Sequence, residues 1–430
     1  MARANDLFWS FTRSRFWRTS TDVYPLLIAA SIPWSTTAGI VLLIIWVLVL
    51  LPTIEPTQFA RTVRNPVALA AIALVALAAV GTLWGEGPWC DRWLAVGPAA
   101  KLLMLPLLLY HFGRSTRADW VYKAFLVSCT LLLAYSFTIF IVPEWQSTRA
   151  HGFDTTGVPL RNAIDQNQEF VLCLFGLAAA SIQALRQGRL LAFSLLGALA
   201  MAFLANVLFV ALARTSLVYL GVIAILFVGR YFERRTAILM VFGLAALVPI
   251  LWLSSPNLRS RITHIAIEYK EYRETNRPTS TGQRLTYWSQ SIDWIREAPI
   301  IGHGTGATKR LFDAAAIGKQ GAWAEKIGNP HNQTLFVAIQ WGLLGCLILF
   351  AMWFCHARLF LTHGGFSAWI GAVVVVQNIA SSLFNSHLFD FAEGWLYVVG
   401  VGVAGGAILR HGATRPPDSA VQQPNEMLRG

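Results

Sequence analysis

Three basic side chains, far apart in this 430-residue sequence, have the chemistry of anion binding and proton transfer: Arg214, Arg284 and His331. An arginine carries a permanent charge on a planar fork that meets phosphate oxygens two at a time. An imidazole that stays neutral can accept a proton as a general base. Taken singly, Arg284 also reads as half of a surface ion pair, and His331 as a polar anchor at a membrane boundary. Arg214 is harder to dismiss. It interrupts forty mostly apolar residues, Leu190 to Gly229, directly before Thr215 and Ser216, and no acid lies nearby in sequence to pair with it. A charge so placed is costly unless it faces a polar cavity or a partner.

Helix ends should position the other two. Ser280 with Gln283 matches a capping box, so a helix opening there holds Arg284 in its first turn. Its apolar face is Leu285, Trp288, Ile292 and Ile295, and Pro299 ends it. Free N–H groups and the dipole make that end electropositive. Asn329 and Pro330 read as N-cap and first residue of a second helix, which puts His331 in its first turn, where imidazolium is disfavoured. Two further clusters carry polar groups. Arg161-Asn162-Ala163-Ile164-Asp165-Gln166-Asn167 offers another cation, with Asp165 and Asn167 as helix caps, and Asn385-Ser386-His387 with Asp390 forms a short turn.

The elements holding these residues belong to a membrane. The chain is 55% hydrophobic and 13% charged, against about a quarter charged in soluble domains. That excludes a secreted disulfide scaffold, a cytosolic enzyme and a nucleic-acid-binding domain. The expected fold is an all-α polytopic membrane protein. Apolar segments near 23–34, 36–52, 66–83, 96–112, 118–141, 168–185, 190–207, 215–229, 236–253, 332–354, 366–384 and 391–409 give about twelve transmembrane helices. With twelve, the termini and alternate short loops hold eighteen Lys and Arg, and the short loops of the other face hold five. The bias puts both termini in the cytoplasm.

The remaining eleven basic residues and seven acids fall in 254–331, a long external loop whose charges are free to serve another purpose. A second amphipathic stretch there places Leu258, Ile262, Ile265 and Tyr269 at helical spacing, as in helices that lie in a membrane interface. The organisation is a cytoplasmic segment 1–22, a bundle 23–253, an external lid 254–331, a bundle 332–409 and a disordered cytoplasmic tail 410–430. The five cysteines have neither disulfide nor zinc spacing.

Cations and a neutral histidine at the outer membrane boundary suit a substrate with an anionic group at headgroup depth, such as a lipid-linked diphosphate sugar. Fixed arginines can stabilise the charge that builds on the leaving diphosphate. The metal-assisted alternative uses a carboxylate pair such as D-x-D, which this sequence lacks, as it lacks a Walker A loop and H-E-x-x-H. The expectation is transfer with neither metal nor cofactor.

The series Asp165-Gln166-Asn167, Ala213-Arg214-Thr215-Ser216, Arg284 with Trp288, Pro299, Gly302-His303-Gly304, Pro330-His331-Asn332, Gly342 and Gly345 resembles the O-antigen ligase and polymerase superfamily. The likeness runs over about residues 160–410, and the layout is most similar to O-antigen ligases of Gram-negative inner membranes. It implies a GT-C-like transferase with its active site facing the periplasm. Such an enzyme moves a glycan from undecaprenyl diphosphate to the lipid A-core acceptor, with membrane lipids as its surroundings. Carried over, Arg214 and Arg284 hold the diphosphate and His331 activates the acceptor hydroxyl, with inversion if attack is direct. Arg161, Asn167, Asn332 and His387 are the accessory substrate-binding candidates. Polymerases and protein O-oligosaccharyltransferases need the same three residues. A lipid-linked glycan transporter would carry its charges nearer the midplane, where this chain has amides such as Gln340, Gln377 and Asn378.

Overall fold

The computed structural model describes residues 14–151, 155–254 and 256–414, so most of the N-terminal segment and the tail from 415 lie outside the described residues. The described chain is helical, and each of the twelve apolar segments falls on a helix. Eight of these helices are long and apolar enough to cross a membrane, or nine if Pro56–Val63 and Pro66–Val80, bent by 78°, form one broken span. That bend has a local cause. Asn65 caps the second helix by accepting from Val67 N at 3.0 Å, and Pro66 opens it without an N–H to lose. The other three segments lie on Arg15–Ser31, Arg234–Ser254 and the 16-residue Phe366–Ser381.

Two helices form the centre: 83% of the apolar window in Phe391–Arg410 and 72% of that in Ala163–Arg186 is buried, against 11% for Thr36–Thr53 at the periphery. A helix enclosed on all sides can keep polar side chains only if they find partners. Ala163–Arg186 keeps four in succession, Gln166, Asn167, Gln168 and Glu169.

The segment 254–331 builds Pro256–Thr275 and Ser280–Glu297, which pack on each other, followed by the short Ala307–Ala315. Ile265, Tyr269, Leu285 and Ile292 are exposed on the first two. The N-cap of the second is Thr279, which accepts from Gly282 N, rather than Ser280. Residues 299–304 then dock on Gln333–Thr362, whose ladder breaks at Gly342 (φ 57°, ψ −151°). Leu343 N donates to Pro299 O at 2.8 Å and Leu344 N to Ile300 O at 3.1 Å. In return His303 N and Gly304 N donate to Ile339 O and Gln340 O at 2.9 and 2.8 Å. A Cβ on Gly302 would stand 2.5 Å from the Trp341 backbone nitrogen, so both glycines are required by the close approach.

Candidate active site

Arg214 owes its position to the DQN stretch. Leu190–Ala205 runs into a π-helical turn, Asn206–Val210, before the chain restarts as Arg214–Tyr231. Such a turn leaves carbonyls without helical partners, and amides of the central helix supply them. Asn167 Nδ2 donates to Ala211 O at 2.7 Å and to Ser216 Oγ at 3.2 Å. Gln166 Nε2 donates to Asn206 Oδ1 at 3.0 Å. Asn167 is 0% exposed, so it braces the turn that presents Arg214 and has no surface for substrate, contrary to its expected binding role.

Arg214 does have an acidic partner, 54 residues along the chain. Its Nη2 donates to Glu268 Oε1 at 2.9 Å and its Nη1 to Oε2 at 3.3 Å. Glu268 Oε2 also accepts from Thr281 N at 3.1 Å and from Thr281 Oγ1. Burial alone would raise the Glu268 pKa, but Arg214 and Thr281 outweigh it and hold it below the ordinary value.

Arg284 is half-buried, and its guanidinium has no hydrogen-bond or ion-pair partner among the described residues. Burial and then the charge of Arg214 lower its pKa, with Glu268 opposing. The same helix reaches the His331 loop through residues one turn on, since i, i+3 and i+4 share a face. Tyr287 stacks on the His331 ring at 6.1 Å and 30°, and Trp288 Nε1 donates to Pro330 O at 3.1 Å.

His331 is not in the first turn of a helix. Gln333–Thr362 starts two residues later with Asn332 as N-cap, accepting from Leu335 N at 3.0 Å. Asn332 thus caps the helix, and its Nδ2 donates to Leu383 O at 3.1 Å. Asn329 shapes the loop instead of capping a helix. Its Oδ1 accepts from His331 N at 2.8 Å and Ser386 Oγ at 2.7 Å, holding His331 at φ 53°. The ring Nδ1 then meets Asn385 Oδ1 at 2.9 Å. An amide oxygen can only accept, so Nδ1 carries the proton and Nε2 keeps its lone pair. Burial lowers the His331 pKa and Arg284 adds to this, against the Asn385 bond. Neutrality thus comes from burial and a neighbouring arginine rather than from a helix dipole.

The turn that supplies Asn385 is stapled to the same loop. Gln333 N donates to Ser382 O at 2.9 Å and Leu388 N to Gln333 Oε1 at 3.1 Å. His387 itself is 0% exposed, its Nδ1 accepting from Gln168 Nε2 at 3.1 Å. Burial, then His331 and Arg284, push its pKa down to about 3. It is a neutral packing group, not a substrate ligand. Arg161 donates to Ile32 O at 2.7 Å and stands 3.9 Å from both Asp165 and Glu169. It lines a cavity of about 300 Å³ with Asn162, Asp165, Asp390, Glu393 and Asn385, the partner of His331. The candidates therefore divide. Arg284 feels the charge of Arg214 and acts in turn on His331, Glu268 and Asn385 bond to Arg214 and His331, and the other four stand behind or beside them.

Comparison with known proteins agrees in part of the chain. Residues 199–351 match the family described as O-Antigen ligase, a stretch that includes Arg214, Arg284, His331 and Gly342. A protein of Haemophilus influenzae described as uncharacterized is 29% identical over 129 residues, 29% of this chain and 32% of that protein. The chain thus spans about a third of the length of that relative.

Proposed function

We propose, from the O-antigen ligase family domain that the chain carries, that it is a multi-pass glycosyltransferase of the bacterial inner membrane. Its donor is a glycan on undecaprenyl diphosphate and its acceptor is lipid A-core oligosaccharide, joined on the periplasmic face. Twelve spans in a GT-C-like bundle, with both termini cytoplasmic, put the 254–331 segment on that face.

The observation that carries the reading is Arg284, a half-buried cation without a partner among the described residues, within electrostatic reach of both Arg214 and His331. A desolvated guanidinium left unpaired is costly, and an anionic ligand removes that cost. In the reaction so derived, Arg284 and Arg214 hold the diphosphate. His331 Nε2 takes the proton of the acceptor hydroxyl. The hydroxyl oxygen bonds to the anomeric carbon as the carbon–oxygen bond to phosphate breaks, and undecaprenyl diphosphate leaves with the electron pair. In-line attack inverts the anomeric centre. The arginines supply the charge stabilisation that a divalent ion gives in D-x-D enzymes.

Reconstitution in liposomes with lipid-linked glycan and purified lipid A-core, with and without EDTA, tests this. The expected product is glycosylated lipid A-core at an unchanged rate in chelator. Extension of a second lipid-linked glycan instead would make the protein a polymerase, and loss of activity in EDTA would end the metal-free mechanism.

A further inference from the structure

Arg214 and Thr281 together already hold an anion, and that anion belongs to the protein. The Glu268 carboxylate sits in a seat made by the Arg214 fork, the Thr281 N–H at the start of Ser280–Glu297 and the Thr281 hydroxyl. Two N–H donors from a guanidinium, one from a helix N-terminus and a hydroxyl are the donors that phosphate oxygens take. Arg284 lies beside this seat with its own donors unused among the described residues.

We infer that one phosphate of the donor diphosphate binds in the seat now taken by the Glu268 carboxylate, with Thr281 as a binding residue, and that Glu268 must leave for it to enter. This rests on the donor reading above. Two anions do not share one fork, since like charges side by side repel. Glu268 therefore competes with substrate. It belongs to Pro256–Thr275, whereas Thr281 belongs to the next helix. Its departure undoes the side-chain bonds to Arg214 and Thr281, while the Thr279 Oγ1 bond to the Glu268 carbonyl at 3.1 Å and the Thr286 Oγ1 bond to the Tyr272 hydroxyl at 3.0 Å still join the two helices. Substrate entry and withdrawal of the Glu268 side chain are then a single exchange. The other phosphate falls to Arg284.

The test is binding of undecaprenyl diphosphate without sugar, in detergent, to the full chain. Glu268→Gln keeps an oxygen for Thr281 and removes the charge, and Glu268→Ala removes both. Each should tighten binding by about tenfold as a competing charge is lost, while Thr281→Val should weaken it several-fold. Unchanged or weaker binding in both monodisperse Glu268 variants overturns the inference, because Glu268 would then be a support for Arg214. The donor reading fails separately: Arg214→Ala and Arg284→Ala that bind like wild type would refute it, whatever the Glu268 variants do.

Discussion

His331 Nδ1 donates to Asn385 Oδ1 at 2.9 Å, and the same oxygen accepts from Asn329 Nδ2 at 3.3 Å. With its amide oriented from the other side, Asn385 fixes which nitrogen of His331 is free. Asn385→Ala should therefore lower kcat by about tenfold or more, within the range of general-base catalysis, with donor KM little changed. Asn385→Asp should raise the His331 pKa, because a carboxylate stabilises imidazolium, and move the acid limb of the rate profile to higher pH. Nitrogen-15 NMR of the His331 ring reports the tautomer independently of turnover.

His331→Ala should abolish glycan transfer, a loss of about 10²–10⁴-fold, while undecaprenyl diphosphate binding persists. In the wild type the depressed pKa keeps the ring neutral below the ordinary value of 6.5. The base form is thus lost only as pH falls through the lowered pKa, and the acid limb of kcat/KM, which reports the free enzyme, should have its midpoint below 6.5. A midpoint above 6.5 would mean another group titrates.

Arg284→Ala should weaken donor binding by about 2–3 kcal/mol, the size of a charged hydrogen-bonding group. Arg284→Lys should recover little of it, since an ammonium cannot meet two phosphate oxygens with a fork. Titration with lipid-linked donor distinguishes the two, and full rescue by lysine would reduce Arg284 to a point charge.

Asn167→Leu should destabilise the protein by about 1–3 kcal/mol, because the buried Ala211 carbonyl loses its donor. The same change should weaken donor binding through Arg214 although residue 167 touches no substrate. Thermal unfolding in detergent alongside a donor titration would reveal both effects, and intact affinity would separate the turn from the arginine.

The apolar segments were legible because hydropathy is local: each places a helix wherever the chain is described. Arg214, Arg284 and His331 were legible as charges and an imidazole beside expected helix starts. Their partners were not. Glu268 lies 54 residues from Arg214 and Asn385 lies 54 from His331, and no periodicity links residues at such separations. The cap at Asn332 was misplaced because Asn329-Pro330 satisfies the local rules for a helix start equally well. The competition was decided by Ser386, a residue from another helix–turn junction. Buried Asn167 and His387 looked like ligands because composition does not reveal which way a polar side chain faces.

At Gly342 the membrane helix gives up its own ladder to stretch 299–304, and the segment between residues 254 and 331 is thereby stitched into the bundle. That segment is no detachable cassette. A chimera joined at residues 254 and 331 would set one parent's strand of backbone against another parent's break. Seams placed beyond Gly345 would carry both halves of the splice together and preserve it.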